Sequence, residues 1–386
     1  MDLLIFGDTD RCPELRHELP LHVGDAFVYA ETGGRRVAVV WSIEGDRISV
    51  VEPSVEIVPS ETISVDDLIE AGVDYYEIDA AHAVRSVQSL GITRARVPGA
   101  FPLQVADALR AAGIELVTDQ RFFDLRRRRK TELELDGIRR ATRGAEAGMR
   151  AIAELLARSE AGDGGRSLDG EPLTSELLRD AADAAFAEHG CRGDDMIVAH
   201  GAQAADGHHQ GAGRLANDDV IVCDLFPRDL ESTCFSDMTR TFSVGTADPE
   251  LAGWHEHTLA ALEHVRGLVA PGADGAELYR EVCRFYEGLG YPTRLSAPEG
   301  TVLREGFNHG LGHGVGLDVH EAPALSKRGH ELMAGDVITL EPGLYRHGFG
   351  GVRLEDLVLV TDDGCETLTD FPYDLDPARS VVQTAR

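Results

Sequence analysis

A chain of 386 residues, 43% of them hydrophobic, is long enough for two domains with large cores. Its formal net charge of −30 disfavours nucleic acid and anionic membrane as partners. It has no apolar run of membrane-spanning length, no basic N-terminal region of a secretory signal in MDLLIFGDTDR, and six scattered cysteines without CxxC spacing, so a cytoplasmic protein with reduced thiols is expected.

Residues 1–125 alternate strand and helix signals and are read as an α/β N-terminal domain. Strands over 25–31 and 35–40 flank Thr32-Gly33-Gly34, a hairpin signature. Further strands are predicted over 47–51, 75–78 and 115–117, and helices over 64–71, 81–90 and 102–112. This part holds no cluster of His, Cys and carboxylate, which leaves it packing, dimerisation or gating.

The basic run Arg126–Lys130 marks a domain junction, pairing with acidic surface, and residues 126–386 are read as the catalytic domain. Only two lysines, Lys130 and Lys327, stand against 35 arginines. Thr131 and Glu134 form a capping box, and Leu135, Ile138, Ala141, Ala145, Met149, Ile152 and Leu155 recur at helical spacing. Residues 159–167, acidic and glycine-rich, end that helix; a second runs over 175–189 and stops at Gly190. Strands follow over 196–200, 219–226 and 235–244. Asp224 shares a face with Val220 and Val222, and Asp237 shares one with Thr239 and Thr241.

The pattern then restarts. Asp248-Pro249 opens one helix and Asp274 with Glu277 another. The stretch 308–321, NHGLGHGVGLDVHE, sets His309, His313 and His320 among four glycines, too many for a helix. It is read as irregular or strand-like backbone presenting imidazoles to a cleft. Strands over 337–341 and 351–360 carry Glu341, Arg353 and Glu355, with a turn at Asp362-Asp363-Gly364. Thr131 and Asp248 are 117 residues apart, as are Asp224 and Glu341, and Asp237 and Glu355 are 118 apart. Matched offsets predict an internal duplication whose pseudo-twofold brings four carboxylates to one spot.

Carboxylates closing apolar strands are costly to bury without charge or metal, and four together cannot all ionise without cations. Asp224, Asp237, Glu341, Glu355 and one histidine therefore suggest a cage for two divalent metal ions. Oxygen-rich ligation suits Mn²⁺, and Co²⁺, Zn²⁺ or Fe²⁺ less decisively.

CDLFPRDLESTCFSDMTRTF, NHGLGHGVGLDVHE, ITLEPGLY and GGVRLEDLVLVT, with the junction RRRKTELELDGIRRA, resemble the motifs of the creatinase, prolidase and aminopeptidase P family. The resemblance is strong over residues 126–370, and reaches the N-terminal domain only by size and α/β character. It implies an α+β pita-bread catalytic domain after a smaller α/β domain, a homodimer, and hydrolysis of the Xaa-Pro bond in dipeptides or at peptide N-termini. It implies Asp224, Asp237, His313, Glu341 and Glu355 as metal ligands, with Asp237 and Glu355 bridging. It implies His208, His309 and His320 as substrate-binding residues, with His208 and His309 on the proline side. His320 would act at the scissile carbonyl, Glu341 would double as general base, and Arg353 would orient Glu355. A non-peptide substrate, as for lyases or amidinohydrolases on this frame, and an inactive peptide-binding module are the alternatives. His200 faces either the pocket or solvent, and His209, Cys223 and Cys234 have no assigned role.

Overall fold

The computed structural model describes residues 1–64 and 66–384. They form two compact units, Met1–Arg127 and Arg128–Arg386.

The first unit is a six-stranded mixed sheet in the order Val55–Pro59, Arg35–Val40, Phe27–Thr32, Asp2–Gly7, Arg94–Val97, Glu115–Thr118. Alternation along the strands fills two cores. Leu4, Phe6, Val28 and Val39 face the helices Ile78–Ser89 and Leu103–Ala111, while Leu3, Ile5, Tyr29 and Val40 face Leu15, Ile48 and Phe123. The hairpin turns on Gly33 and Gly34, both at positive φ, which a two-residue turn demands.

Two local expectations are corrected. Residues 47–51 are not a strand but the end of the helix Ser42–Val51. Ile48 is buried while Val50 is 81% exposed, and a strand would have put both on one face. Gly45 lets the helix lie against the sheet, since a Cβ there would be 2.8 Å from Ile57 Cγ2. Residues 75–78 are likewise no strand: Tyr75–Glu77 is a 3₁₀ turn capped by the Asp74 carboxylate, leading into Ile78–Ser89. The helix expected over 64–71 is Asp66–Glu70, and Val65 lies outside the described residues.

The second unit opens with the helix Glu132–Arg158, 27 residues long, behind the Thr131/Glu134 capping box. With Ser175–Glu188 it packs Met149, Ile152, Leu178 and Phe186 onto Ile221, Cys223 and Phe242 of an antiparallel sheet, Ile197–His200, Asp219–Leu225 and Met238–Val244. The second half repeats this arrangement. Pro249–Arg266 and Gly275–Gly288 pack Trp254, Leu262, Val282 and Tyr286 onto Ile338, Leu340 and Val358. Their sheet holds Gly312–Gly314, Val337–Leu340 and Asp356–Val360 in corresponding order.

The strand expected over 351–360 is broken in two. Gly350–Arg353 pairs with Gly343–Arg346, Asp356–Val360 pairs with Val337–Leu340, and Glu355 sits at the break. There the halves are stitched together: Glu355 N–H donates to Thr239 O (3.0 Å), and Thr241 Oγ1 donates to Arg353 O (2.8 Å).

Four of the five residues of the basic run make internal ion pairs, each within one unit. Arg126 meets Glu18 and Glu31, and Arg127 meets Glu14. Arg128 meets buried Asp336, and Lys130 meets Glu321.

Candidate metal centre and substrate cavity

Each acidic side chain of the centre stands at a strand end. Asp224 is near the end of Asp219–Leu225, Asp237 just before Met238–Val244, Glu341 just after Val337–Leu340, and Glu355 at the break between two strands. His313 occupies the short strand Gly312–Gly314, and a Cβ at Gly312 would be 2.0 Å from Thr339 O, so no larger residue lets that strand approach. Ligand atoms of Asp237, His313 and Glu355 all lie within 4.8 Å of one another. His313 Nε2 is 3.7 Å from Asp237 Oδ2 and 3.8 Å from Glu341 Oε1.

Electrostatics match a site short of positive charge. Burial, then the charges of Glu355, Asp224 and Glu341, push the Asp237 carboxyl well above its ordinary value. Burial and the charges of Asp224 and Glu341 raise Glu355 in the same way. Glu341 is pushed up to about 7 by burial, with Arg353 opposing and Asp224 adding. His313 is pushed down to about 4, by burial and then by His320, so its ring is neutral at pH 7. Its Nδ1 lies 3.1 Å from Gly314 O; donation there leaves the Nε2 lone pair toward the carboxylates, the tautomer a metal ligand needs. Asp224 Oδ1 and Asp237 Oδ1 are buried without a hydrogen-bond partner. Orphaned carboxylate oxygens beside an oriented neutral imidazole fit divalent cations.

Arg353 and Glu355 are linked through a threonine. Arg353 Nη2 bonds Asp224 Oδ2, its Nε is 3.1 Å from Thr239 Oγ1, and its Nη1 is 3.4 Å from Tyr345 Oη. Thr239 Oγ1 in turn donates to Glu355 Oε2 at 2.6 Å. The guanidinium reaches Glu355 only through this hydroxyl, because the strand break turns the two side chains to different partners.

These residues line a cavity of about 660 Å³. His208, His309 and His320 share its wall with Phe226, Phe235 and Asn308. His320 is exposed and packs edge-on against His313, centroids 4.2 Å apart. The part of the ring packed away from solvent lowers its pKa, with Asp224 opposing. His309 is pushed down to about 3 by burial and then by Arg353. Its Nδ1 is 2.7 Å from Gly310 O and its Nε2 3.0 Å from Tyr345 Oη. With both nitrogens engaged, His309 offers the cavity a ring face.

The sequence pattern did not single out Tyr345. It lies on Gly343–Arg346, an unexpected strand that pairs Leu344 with Val352 and Tyr345 with Gly351. His200 is outside the cavity wall, bonded to Asp219 Oδ2 (2.8 Å) and Ala212 O (3.2 Å). His209 Nδ1 accepts from Gly211 N–H, holding its own loop. Cys223 and Cys234 are buried in hydrophobic clusters.

Residues 136–362 match metallopeptidase family M24. The chain belongs to that family. This M24 metallopeptidase is 31% identical over 363 residues to the probable dipeptidase PepE of Mycobacterium tuberculosis, covering 90% of this chain and 86% of that one. It is 35% identical over 183 residues to the Xaa-Pro dipeptidase of Pyrococcus horikoshii, 47% of this chain and 48% of the relative. The crystal structure of the Pyrococcus horikoshii prolidase superimposes with a TM-score of 0.74 at 24% identity, covering 97% of this chain and 95% of that one. The fold is the α+β pita-bread fold. Among the described residues, no helix of this M24 metallopeptidase is long and apolar enough to cross a membrane.

Proposed function

We propose that this M24 metallopeptidase hydrolyses the Xaa-Pro bond of dipeptides or of peptide N-termini, with two divalent metal ions held by Asp224, Asp237, His313, Glu341 and Glu355. One observation carries the reading: four carboxylates and a neutral, oriented imidazole converge on a cavity walled by three further histidines. Curated relatives named dipeptidase and Xaa-Pro dipeptidase support the substrate class.

When bound, the ions supply Lewis acidity and a hydroxide nucleophile at neutral pH. Asp237 and Glu355, on the two stitched strands, would be among the residues that hold them. Glu341 stands between His313 and His309 and would take the proton that the attacking water gives up on becoming hydroxide. His320, exposed to the cavity beside His313, donates to the scissile carbonyl or passes a proton to the departing nitrogen. The ring face of His309 and the His208 side chain form the wall against which a proline ring packs. Arg353 holds Asp224 in place. Mn²⁺ suits the oxygen-rich donor set best, and a cytoplasmic homodimer completes the reading.

The test is proline release from Xaa-Pro dipeptides, with an Xaa-Pro-Xaa tripeptide alongside, by chelated and then Mn²⁺-reconstituted protein. Metal-dependent cleavage of the dipeptide alone identifies a dipeptidase, and preference for the tripeptide an aminopeptidase. Cleavage of neither, with two metals bound, overturns the reading and turns the search to non-peptide substrates.

A further inference from the structure

We propose that Lys130 is a positioning residue for His320, acting through Glu321. The inference rests on the role given to His320 above.

Lys130 is one of two lysines in a chain with 35 arginines. Its ammonium bonds Glu321, and the two side chains are only 3% and 6% exposed. A buried lysine needs such a partner, because removing an ammonium from water is costly. The pair lies at the base of the loop that presents His320. Glu321 immediately follows His320 and opens the strand Glu321–Leu325, where its backbone pairs with Gly314, the neighbour of His313. The other end of the loop is Gly316, where an added Cβ would fall 2.7 Å from both Lys130 Nζ and Glu321 Oε1. The ion pair is thus packed directly against the loop backbone.

Further hydrogen bonds fix the start of this loop. Gly316 N–H donates to Asp318 O at 3.0 Å, Phe235 N–H donates to Gly316 O at 2.8 Å, and Val315 N–H donates to Val337 O at 2.9 Å. The Lys130–Glu321 pair fixes its end. His320, held between, lies against His313 at 4.2 Å. Lys130 directly precedes the capping box of the helix Glu132–Arg158, so the anchor is tied to the longest helix of the unit. A compact ammonium suits this crowded spot, where a planar guanidinium needs more room.

Lys130→Met, Glu321→Gln, His320→Ala and the double variant Lys130→Met/His320→Ala test the proposal, with kcat read in Mn²⁺-loaded protein and the ring signal in diamagnetic Zn²⁺-loaded protein. Lys130→Met and Glu321→Gln are expected to lower kcat for an Xaa-Pro substrate about 10–100-fold, with KM within about twofold and metal content unchanged. The double variant should be no slower than His320→Ala alone, since two residues acting as one unit are not additive. The His320 ring proton signal, identified by its loss in His320→Ala, should move in both charge-pair variants as the ring leaves His313. If Lys130→Met fails to fold, Glu321→Gln carries the test. An unmoved His320 signal, or a double variant that adds the two losses, overturns the proposal. Full kcat in His320→Ala overturns the catalytic role of His320 instead, and the ring signal then still decides whether Lys130 positions it.

Discussion

The guanidinium of Arg353 bonds the carboxylate of Asp224 across 129 positions of sequence, joining the two halves of the catalytic unit. Burial works against its charge, but the carboxylates of Asp224, Glu341 and Glu355 keep it charged. Arg353→Lys retains the charge but loses the fork that spans Asp224, Thr239 and Tyr345. Mn²⁺ affinity and kcat/KM are each expected to fall about 10–100-fold, as for other residues that orient ligands. Calorimetric titration of the stripped protein checks this, and unchanged affinity would show that Asp224 needs no such partner.

Thr239 serves both halves with one hydroxyl, donating to Glu355 and accepting from Arg353. Thr239→Val strips a buried carboxylate of its donor and should cost about 1–3 kcal/mol in the metal-free protein. Thr239→Ser should cost far less. Urea denaturation of the three proteins measures the difference; equal midpoints for Val and Thr would refute the bond's importance.

Metal binding should stabilise the fold as well as activate it. A cation present at about 100 times its dissociation constant adds about 2.7 kcal/mol. Chelation is therefore expected to lower Tm and Mn²⁺ to restore it, with the response lost in Asp237→Asn and Glu355→Gln. A Tm indifferent to metal in the wild-type chain would argue against ions in this cluster.

Away from the centre, His200 predicts a pH effect. Burial works against its charge, but the bond and charge of Asp219, the Ala212 carbonyl and the charge of Glu176 outweigh it, so its pKa is raised. A raised folded-state value stabilises the protein fully below the unfolded pKa of about 6.5 and ceases to do so as pH climbs through the folded value. His200→Gln should therefore cost more stability at pH 6 than at pH 9. The difference should stay below about 1 kcal/mol, because solvent screens the half-buried pair. Denaturation at the two pH values decides, and a larger loss at pH 9 would reverse the argument.

What the sequence disclosed was what local pattern can encode. Asp224 and Glu341 each close a run of apolar β-branched residues, VIVCD and VITLE, so their burial was legible from the pattern alone. The shared face of Asp237, Thr239 and Thr241 was legible too, and the two threonines there bond Glu355 and Arg353. Alternation names a face and leaves the neighbour open, so the bond from Arg353 to Asp224 and its link to Glu355 through Thr239 were not legible. The β-branched residues of 47–51 were outweighed by a tertiary contact, the packing of Gly45 on Ile57. The Lys130–Glu321 pair spans 191 positions, beyond the reach of any periodicity.

The stitch between Thr239 and Glu355 also orders events in time. Asp224 and Asp237 belong to the first half, and His313, Glu341 and Glu355 to the second. A chain emerging from the ribosome cannot close this cluster until residue 355 has appeared and a contact of low local bias has formed, the slow class of step in folding. Acquisition of cations should accordingly trail secondary structure in refolding, and stopped-flow recording of both signals would separate them.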